Sequence, residues 1–238
     1  MDLVVCDLDG TLTATNQVDS ECFAQAIADA AGILDLDRNW SRYECVTDPG
    51  ITTQILAEHF GKAPDAAHLA AVHDQFVELL KDRLVCSPES FGELPGATES
   101  LYRLRNEHGW AIAIASGTWR AAGRIKLQSA GISPEGFPSV FADDSISREG
   151  IIELAITRAL ERYKQPDFGR IVVMGDGVWD VRAAWKLGLP FVGVAAESNG
   201  DRLRAHGASH VIHDFIDFDG LMKCLSEAKI PGVPAEHE

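Results

Sequence analysis

Nothing in this chain approaches the ~18 consecutive apolar residues that crossing a bilayer requires. No secretory signal precedes the first apolar run, so a cytoplasmic protein with no membrane partner is expected. Positive charge is also scarce. Lys and Arg number 21 against 36 Asp and Glu, a formal net charge of −15. Nucleic acids and anionic membranes both need a basic face, so neither is expected as a partner. The five cysteines, Cys6, Cys22, Cys45, Cys86 and Cys224, are odd in number and lack metal-ligand spacing. They read as reduced thiols. The eight histidines are assigned no role, and repeats and low-complexity tracts are absent. What remains is an ordinary globular composition over 238 residues. That is enough for one substantial core, or one core plus a small insert. Oligomeric state is not legible in it.

Short apolar runs recur at Leu3–Cys6, Ala111–Ala115, Ser139–Ala142, Arg170–Met174, Pro190–Val194 and His210–Ile212. Continuous apolarity suits parallel strands covered on both faces. Helical spacing intervenes, with Leu101, Leu104 and His108 before the second run, and Ile151, Ile152, Ala155, Ala159 and Leu160 before the fourth. The alternation predicts an α/β fold, a doubly wound parallel sheet whose chemistry lies at the C-terminal strand ends. One interval breaks the pattern. Between Thr13 and Leu94 no good strand occurs, while Glu21–Ala31, Ile51–Phe60 and Asp65–Leu84 look helical. In the last of these, Leu69, Val72, Phe76, Leu79 and Leu80 fall at the spacing of a packed face. Roughly 75 helical residues are too many for an ordinary crossover. They predict an inserted all-helical cap, residues 16–88, within a discontinuous core domain of residues 1–15 and 89–238. Pro88 and Pro95-Gly96 mark the return hinge, and residues 230–238 read as a frayed tail.

Two aspartates one residue apart, Asp7 and Asp9, close the first run, and Gly10 and Thr11 follow. Side chains at i and i+2 of an extended segment point the same way. Carboxylates held that close repel each other unless a cation or a shared proton lies between them. Gly10 lets the chain turn at once. Three later segments stand out. Ala113 to Thr118 is a strand running into Ser116-Gly117-Thr118 before a helix. Asp143 to Arg148 lies ahead of another helix. Val172 to Asp180 is a strand ending in Gly175-Asp176-Gly177-Val178-Trp179-Asp180. Global charge would not steer a phosphate ligand in, so its pocket must be locally positive, through a metal, backbone amides and one or two Lys or Arg.

In these motifs, in their order and spacing from residue 2 to about residue 215, the chain resembles the haloacid dehalogenase-like (HAD) superfamily. Asp-x-Asp-Gly-Thr after an apolar strand, joined to a later Gly-Asp-x-x-x-Asp, is a specific signature. The helical insert is similar to the cap of the phosphoglycolate phosphatase and β-phosphoglucomutase branch. The resemblance implies a Rossmann-like sheet under a mobile helical lid. It implies Asp7 as a nucleophile that forms an aspartyl-phosphate, and Asp9 as general acid and base. It implies Mg²⁺ held by Asp7, Asp176 and the Asp9 main-chain carbonyl, with Asp180 assisting. Ser116 and the amides of Gly117 and Thr118 would hold the phosphoryl oxygens. The lysine that the family usually carries in its third motif is missing here; Arg148 is the candidate for its place and Lys126 the reserve. Such a site implies a Mg²⁺-dependent phosphatase acting on a small phosphorylated metabolite, an organic phosphomonoester. A sugar phosphomutase is the alternative, and a non-catalytic binding protein of the same fold a further one. Substrate choice is expected from the lid, with Tyr43 and Thr52 as candidates in the loop from Tyr43 to Thr53. Trp119 and Trp179 adjoin motifs, as pocket lining or as core.

Overall fold

The structure, a computed structural model, describes residues 1–232, with backbone alone for Glu197 and Ser198. β1 (Leu3–Cys6) is buried at every residue. Successive strand side chains face opposite ways, so Val4 and Cys6 enter one apolar layer, and Leu3 and Val5 the other. β1 pairs in parallel with β2 (Ala111–Ala115) and β4 (Ile171–Gly175), Cys6 standing opposite both Ile114 and Met174. β3 (Ser139–Val140), β5 (Phe191–Val194) and β6 (His210–Ile212) complete a six-stranded sheet of order β3-β2-β1-β4-β5-β6. The chain winds outward from β1 to β3, then returns to β4 and winds the other way. Connections diverge at that switch and leave a crevice at the C-terminal ends of β1 and β4.

Helices cover both faces. α4 (Ala97–Asn106), α5 (Arg120–Ser129) and α9 (Phe218–Glu227) pack on one through Leu101, Leu104, Leu127, Leu221 and Leu225. α6 (Arg148–Tyr163), α7 (Val178–Leu187) and α8 (Glu197–Ala205) pack on the other through Ile151, Ala155, Val181, Ala184 and Leu203. β3 stops at Val140, two residues short of the expected run. The amides beyond it have other partners: Phe141 donates to Asp144 Oδ2 (3.1 Å) and Ala142 to the Thr118 carbonyl (3.0 Å).

Among the described residues, the stretch between β1 and α4 is helical and adds no strand to the sheet. It comprises α1 (Asn16–Ala31), a 3-10 turn at Trp40–Arg42, α2 (Asp48–Phe60), α3 (Ala66–Cys86) and a second 3-10 turn at Pro88–Phe91. Thr47 caps α2 by accepting from the Gly50 amide (3.2 Å), and Asp65 caps α3 by accepting from the His68 amide (3.0 Å). Their apolar faces meet around Phe23, Ile27, Ile55, Val72, Phe76 and Leu80. Trp119 and Ala122, at the start of α5, are part of this same cluster. The Trp119 ring centroid lies 6.2 Å from that of Phe23 and 6.0 Å from that of Phe76. Trp119 is therefore core, not pocket lining.

The passages into and out of the insert run side by side: the Ala14 amide donates to the Gly92 carbonyl and the Leu94 amide to the Leu12 carbonyl, each at 2.9 Å. Of the tail expected to be loose from Ile230, Gly232 donates its amide to the Gly207 carbonyl (3.2 Å); residues 233–238 lie outside the described residues. No helix among the described residues is long and apolar enough to cross a membrane. All five cysteines are unpaired.

Candidate active site

The sheet ladder runs one residue past β1, since the Asp7 amide donates to the Met174 carbonyl at 2.9 Å. The chain then turns tightly. The amides of Thr11, Leu12 and Thr13 all donate to the Leu8 carbonyl. Gly10 makes the turn at φ 72°, where a Cβ would lie 2.2 Å from Asp176 Oδ2 and 2.1 Å from Asn16 Nδ2. Only glycine combines that backbone conformation with that close approach. Asn16 Nδ2 in turn donates to Asp176 Oδ2 (2.7 Å), so the first residue of α1 steadies the carboxylate at the end of β4. Asp180, in the first turn of α7, accepts from the Gly177 amide (3.0 Å).

This geometry brings Asp7, Asp176 and Asp180 together. One carboxylate oxygen from each lies within 4.8 Å of the other two. Arg148, the first residue of α6, reaches into the group. One Nη donates to Asp7 Oδ1 (3.0 Å) and also contacts Asp180 Oδ1. Of the two cations considered for the third motif, it is Arg148 that meets Asp7. Lys126 meets Asp9 instead, donating to Oδ2 at 2.8 Å, and it also contacts Asp19 of α1. The other Asp9 oxygen accepts from the Thr15 hydroxyl (2.5 Å). The Asp9 carboxylate therefore sits apart from the Asp7 group and is paired with an ammonium.

Ser116, Gly117 and Thr118 form the turn from β2 to α5 and face the same cavity. A Cβ on Gly117 would lie 2.7 Å from an Arg148 Nη and 2.9 Å from the Val46 carbonyl, so glycine alone fits between core and insert there. Asp48, at the start of α2, bridges the two. Its amide donates to the Gly117 carbonyl (2.8 Å), while its Oδ2 accepts from the Thr118 hydroxyl and the Trp119 amide (both 2.8 Å).

Six carboxylates, those of Asp7, Asp9, Asp19, Asp48, Asp176 and Asp180, thus crowd around two cations, Arg148 and Lys126. The excess shows in the protonation of Asp7, Asp19, Asp48 and Asp176. Burial raises the Asp7 carboxyl well above its ordinary range, against the pull of Arg148. Burial and the charge of Asp180 push Asp176 up to about 7. Burial pushes Asp48 up to about 6 and Asp19 up to about 8, each against the pull of Lys126. Such a site holds either protons or a metal. The donors at Asp7 and Asp176 are all oxygen, which suits a hard divalent ion. Asp180 has one oxygen on the Gly177 amide and the other on Arg148, so it fits an outer, orienting place better than a direct ligand.

A cavity of about 270 Å³ opens onto these groups. Phe23, Trp40, Val46 and Ile51 of the insert form part of its wall, and Trp179, Asn199 and Arg202 another part. Tyr43 and Thr52, expected to contact substrate, do not line it. Tyr43 is buried, and its hydroxyl donates to the Asp37 carbonyl (2.8 Å). Thr52 is buried with no hydrogen-bond partner for its hydroxyl. For Thr52 the cause is helical phase: Asp48 and Ile51, three apart at the start of α2, share the face toward the cavity, and Thr52 lies about 100° further round. Asn16, Asp19, Asp48, Asn199 and Arg202 had carried no signal in the sequence beyond ordinary helix-end polarity.

Comparison with known proteins agrees with this architecture. A relative, the phosphonoacetaldehyde hydrolase of Bordetella avium (strain 197N), is 26% identical over 227 residues, which is 86% of this chain and 77% of that protein. Among solved structures, a hydrolase from Pseudomonas syringae has a TM-score of 0.71 at 22% identity, covering 94% of this chain and 98% of that one. A putative beta-phosphoglucomutase from Bacteroides vulgatus has a TM-score of 0.67 at 18% identity, covering 95% and 91%. The structures share the fold. The family profile described as haloacid dehalogenase-like hydrolase matches residues 1–188, a span that takes in both sides of the acidic crevice. By that match the chain belongs to the haloacid dehalogenase-like hydrolases.

Proposed function

We propose that this protein is a Mg²⁺-dependent phosphatase that hydrolyses a small organic phosphomonoester by way of a phosphorylated Asp7. The observation that carries the reading is the Asp7 carboxylate itself. It stands at the switch point of the sheet, oriented by Arg148 at 3.0 Å, beside Asp176 and Asp180. Asp7 and Asp176, with the Asp9 carbonyl, are the groups suited to hold Mg²⁺. When bound, that ion would supply charge neutralisation between the Asp7 carboxylate and the substrate phosphate.

The chain's own residues do the rest. Ser116 and the Gly117 and Thr118 amides hold the phosphoryl oxygens against the start of α5. Asp7 attacks phosphorus, its bond forming as the bond to the leaving oxygen breaks. Asp9 gives that oxygen its proton. Asp9 then takes a proton from water, whose oxygen attacks phosphorus, and the Asp7–phosphorus bond breaks to restore the carboxylate. Arg148 keeps Asp7 aimed throughout.

Carbon–phosphorus cleavage, which the name of the Bordetella relative suggests, would need an amine free to form a Schiff base. Lys62 and Lys81 of the insert are exposed and do not line the cavity. Lys126 is fully buried and held protonated between Asp9 and Asp19. None is such an amine. The test is phosphate release from a panel of phosphomonoesters with and without Mg²⁺. A sugar phosphomutase would yield an isomer of a sugar 1-phosphate and little free phosphate in the same time course. Absence of any turnover by folded, Mg²⁺-loaded protein would favour a binding role.

The leaving group faces an exposed arginine. Arg202 lines the cavity and donates to Ser41 of the insert (3.1 Å); burial, and after it the charge of Arg202, lowers the pKa of Arg182. This favours substrates with a second anionic group. Arg202→Ala should raise KM for such substrates about 10-fold or more, the loss of one charge-assisted contact. KM for p-nitrophenyl phosphate should stay unchanged. An equal change on both classes would remove Arg202 from substrate recognition.

A further inference from the structure

Lys126 has no surface. It lies in the last turn of α5, where a lysine ordinarily carries its ammonium out to water beside the helix end. Here the side chain is wholly buried. Its Nζ donates to Asp9 Oδ2 at 2.8 Å, contacts Asp19 Oδ1, and lies 3.3 Å from the Thr118 hydroxyl. Thr118 also donates to Asp48. Asp19 and Asp48 belong to the insert; Lys126 belongs to the core helix α5, and Thr118 to the expected phosphate-binding turn that leads into it. Asp9 hangs between them, one oxygen on Lys126 and the other on Thr15.

Packing does not account for a buried ammonium at this position. α5 is already anchored on one side by Leu127 and on the other by Ala122. A buried ion pair is generally no more stabilising than apolar residues of similar volume. What the charge does achieve is a single position for the Asp9 carboxylate, shared with a residue of the insert.

We propose that Lys126 is a positioning residue for Asp9, setting where that carboxylate stands relative to the leaving oxygen and tying its place to the insert through Asp19. The proposal rests on the reading of Asp9 as the proton-transferring group. Lys126 touches neither substrate nor metal. It acts through Asp9, so its loss must show in both steps where Asp9 moves a proton, expulsion of a leaving oxygen that needs one and hydrolysis of phospho-Asp7, and not in expulsion of a leaving group that needs none.

Two substrates separate these cases. An alkyl phosphate leaves as an alkoxide and must be protonated; p-nitrophenyl phosphate leaves as a stabilised phenolate and needs little help. Lys126→Met should lower the first-turnover rate on the alkyl phosphate about 100-fold or more, within the range of general-acid catalysis, with substrate affinity little changed. On p-nitrophenyl phosphate the first-turnover burst of p-nitrophenolate should keep its rate within about 3-fold, while steady-state turnover falls because phospho-Asp7 hydrolysis still needs Asp9. Lys126→Arg keeps the charge and should recover part of the alkyl activity. If Lys126→Met does not fold, the charge-balanced Lys126→Met/Asp19→Leu variant carries the test, with the same selective loss expected. A fall of equal size in the first-turnover rates of both substrates, or a fall in neither, in a folded variant overturns the proposal. Asp9→Asn run in parallel separates the two layers of argument. A leaving-group split in Asp9→Asn without one in Lys126→Met rejects the positioning role alone. No split in Asp9→Asn rejects the reading of Asp9, and the proposal with it.

Discussion

Asp7→Asn should abolish turnover on every phosphomonoester while leaving the fold intact. The amide matches the carboxylate in shape but cannot bond to phosphorus and be regenerated. Loss of a covalent nucleophile costs about 10⁵-fold or more, against ~10–1000-fold for a positioning group such as Ser116. Stability should not suffer. Burial already raises the Asp7 carboxyl well above its usual range, so a neutral side chain there removes a charge that the folded state disfavours. Arg148 keeps an oxygen to donate to. Steady-state kinetics and a thermal melt on the same sample check both halves. A variant with near-native rates would reject Asp7 as the nucleophile.

Removing divalent cations should be nearly as damaging, and its effect should depend on pH in a definite sense. In chelator, activity should drop about 100-fold or more and return with Mg²⁺. Stability follows from linkage. Asp176 has its carboxyl raised from 3.8 to about 7 by burial and by Asp180. The folded state therefore binds that proton more tightly than the unfolded state. Its contribution is complete below the unfolded value and is lost as pH rises through about 7. The metal-free protein should melt at progressively lower temperature from pH 5 to pH 8. Mg²⁺ competes with the same proton, so its apparent affinity should rise over that interval. Scanning fluorimetry with chelator and with Mg²⁺ across these values reads both trends. A melting temperature in chelator that is flat, or rises with pH, would contradict the acidic cluster as drawn.

Much of the core was legible because parallel strands covered on both faces must be apolar at every residue. Leu3–Cys6 and Ala111–Ala115 match their predicted bounds for that reason. The convergence of Asp7 with Asp176 also follows simply, since both carboxylates come directly after strands that are neighbours in the sheet. What local pattern does not encode is which polar residues of a helix are turned inward by a partner elsewhere. In the sequence Lys126 is a cation in the last turn of a helix, a place where solvated lysines are common. Only Asp9 and Asp19, more than 100 residues away, make it interior. Asp48 likewise looks like a loop acid beside Pro49 and Gly50 until Thr118 and Trp119 donate to it. Thr52 was singled out from a segment that reaches the cavity through Val46, Thr47, Asp48 and Ile51, but one helical step turns its side chain away; Tyr43, outside α2, is drawn inward by the Asp37 carbonyl. The start of α1 at Asn16, earlier than the predicted Glu21, escaped notice because Thr15 gives its hydroxyl to Asp9 and does not cap the helix.

The sharing of α5 between sheet and insert constrains how such a protein can acquire a new substrate. Trp119 fills the interior of the helical insert from outside it, and Lys126 finds a carboxylate there. A foreign lid grafted between residues 15 and 92 would leave the tryptophan without its socket and the lysine one acid short. Transplants should succeed only when the donor's own version of this helix travels with its lid, so the smallest exchangeable module is larger than the insertion that the chain order displays.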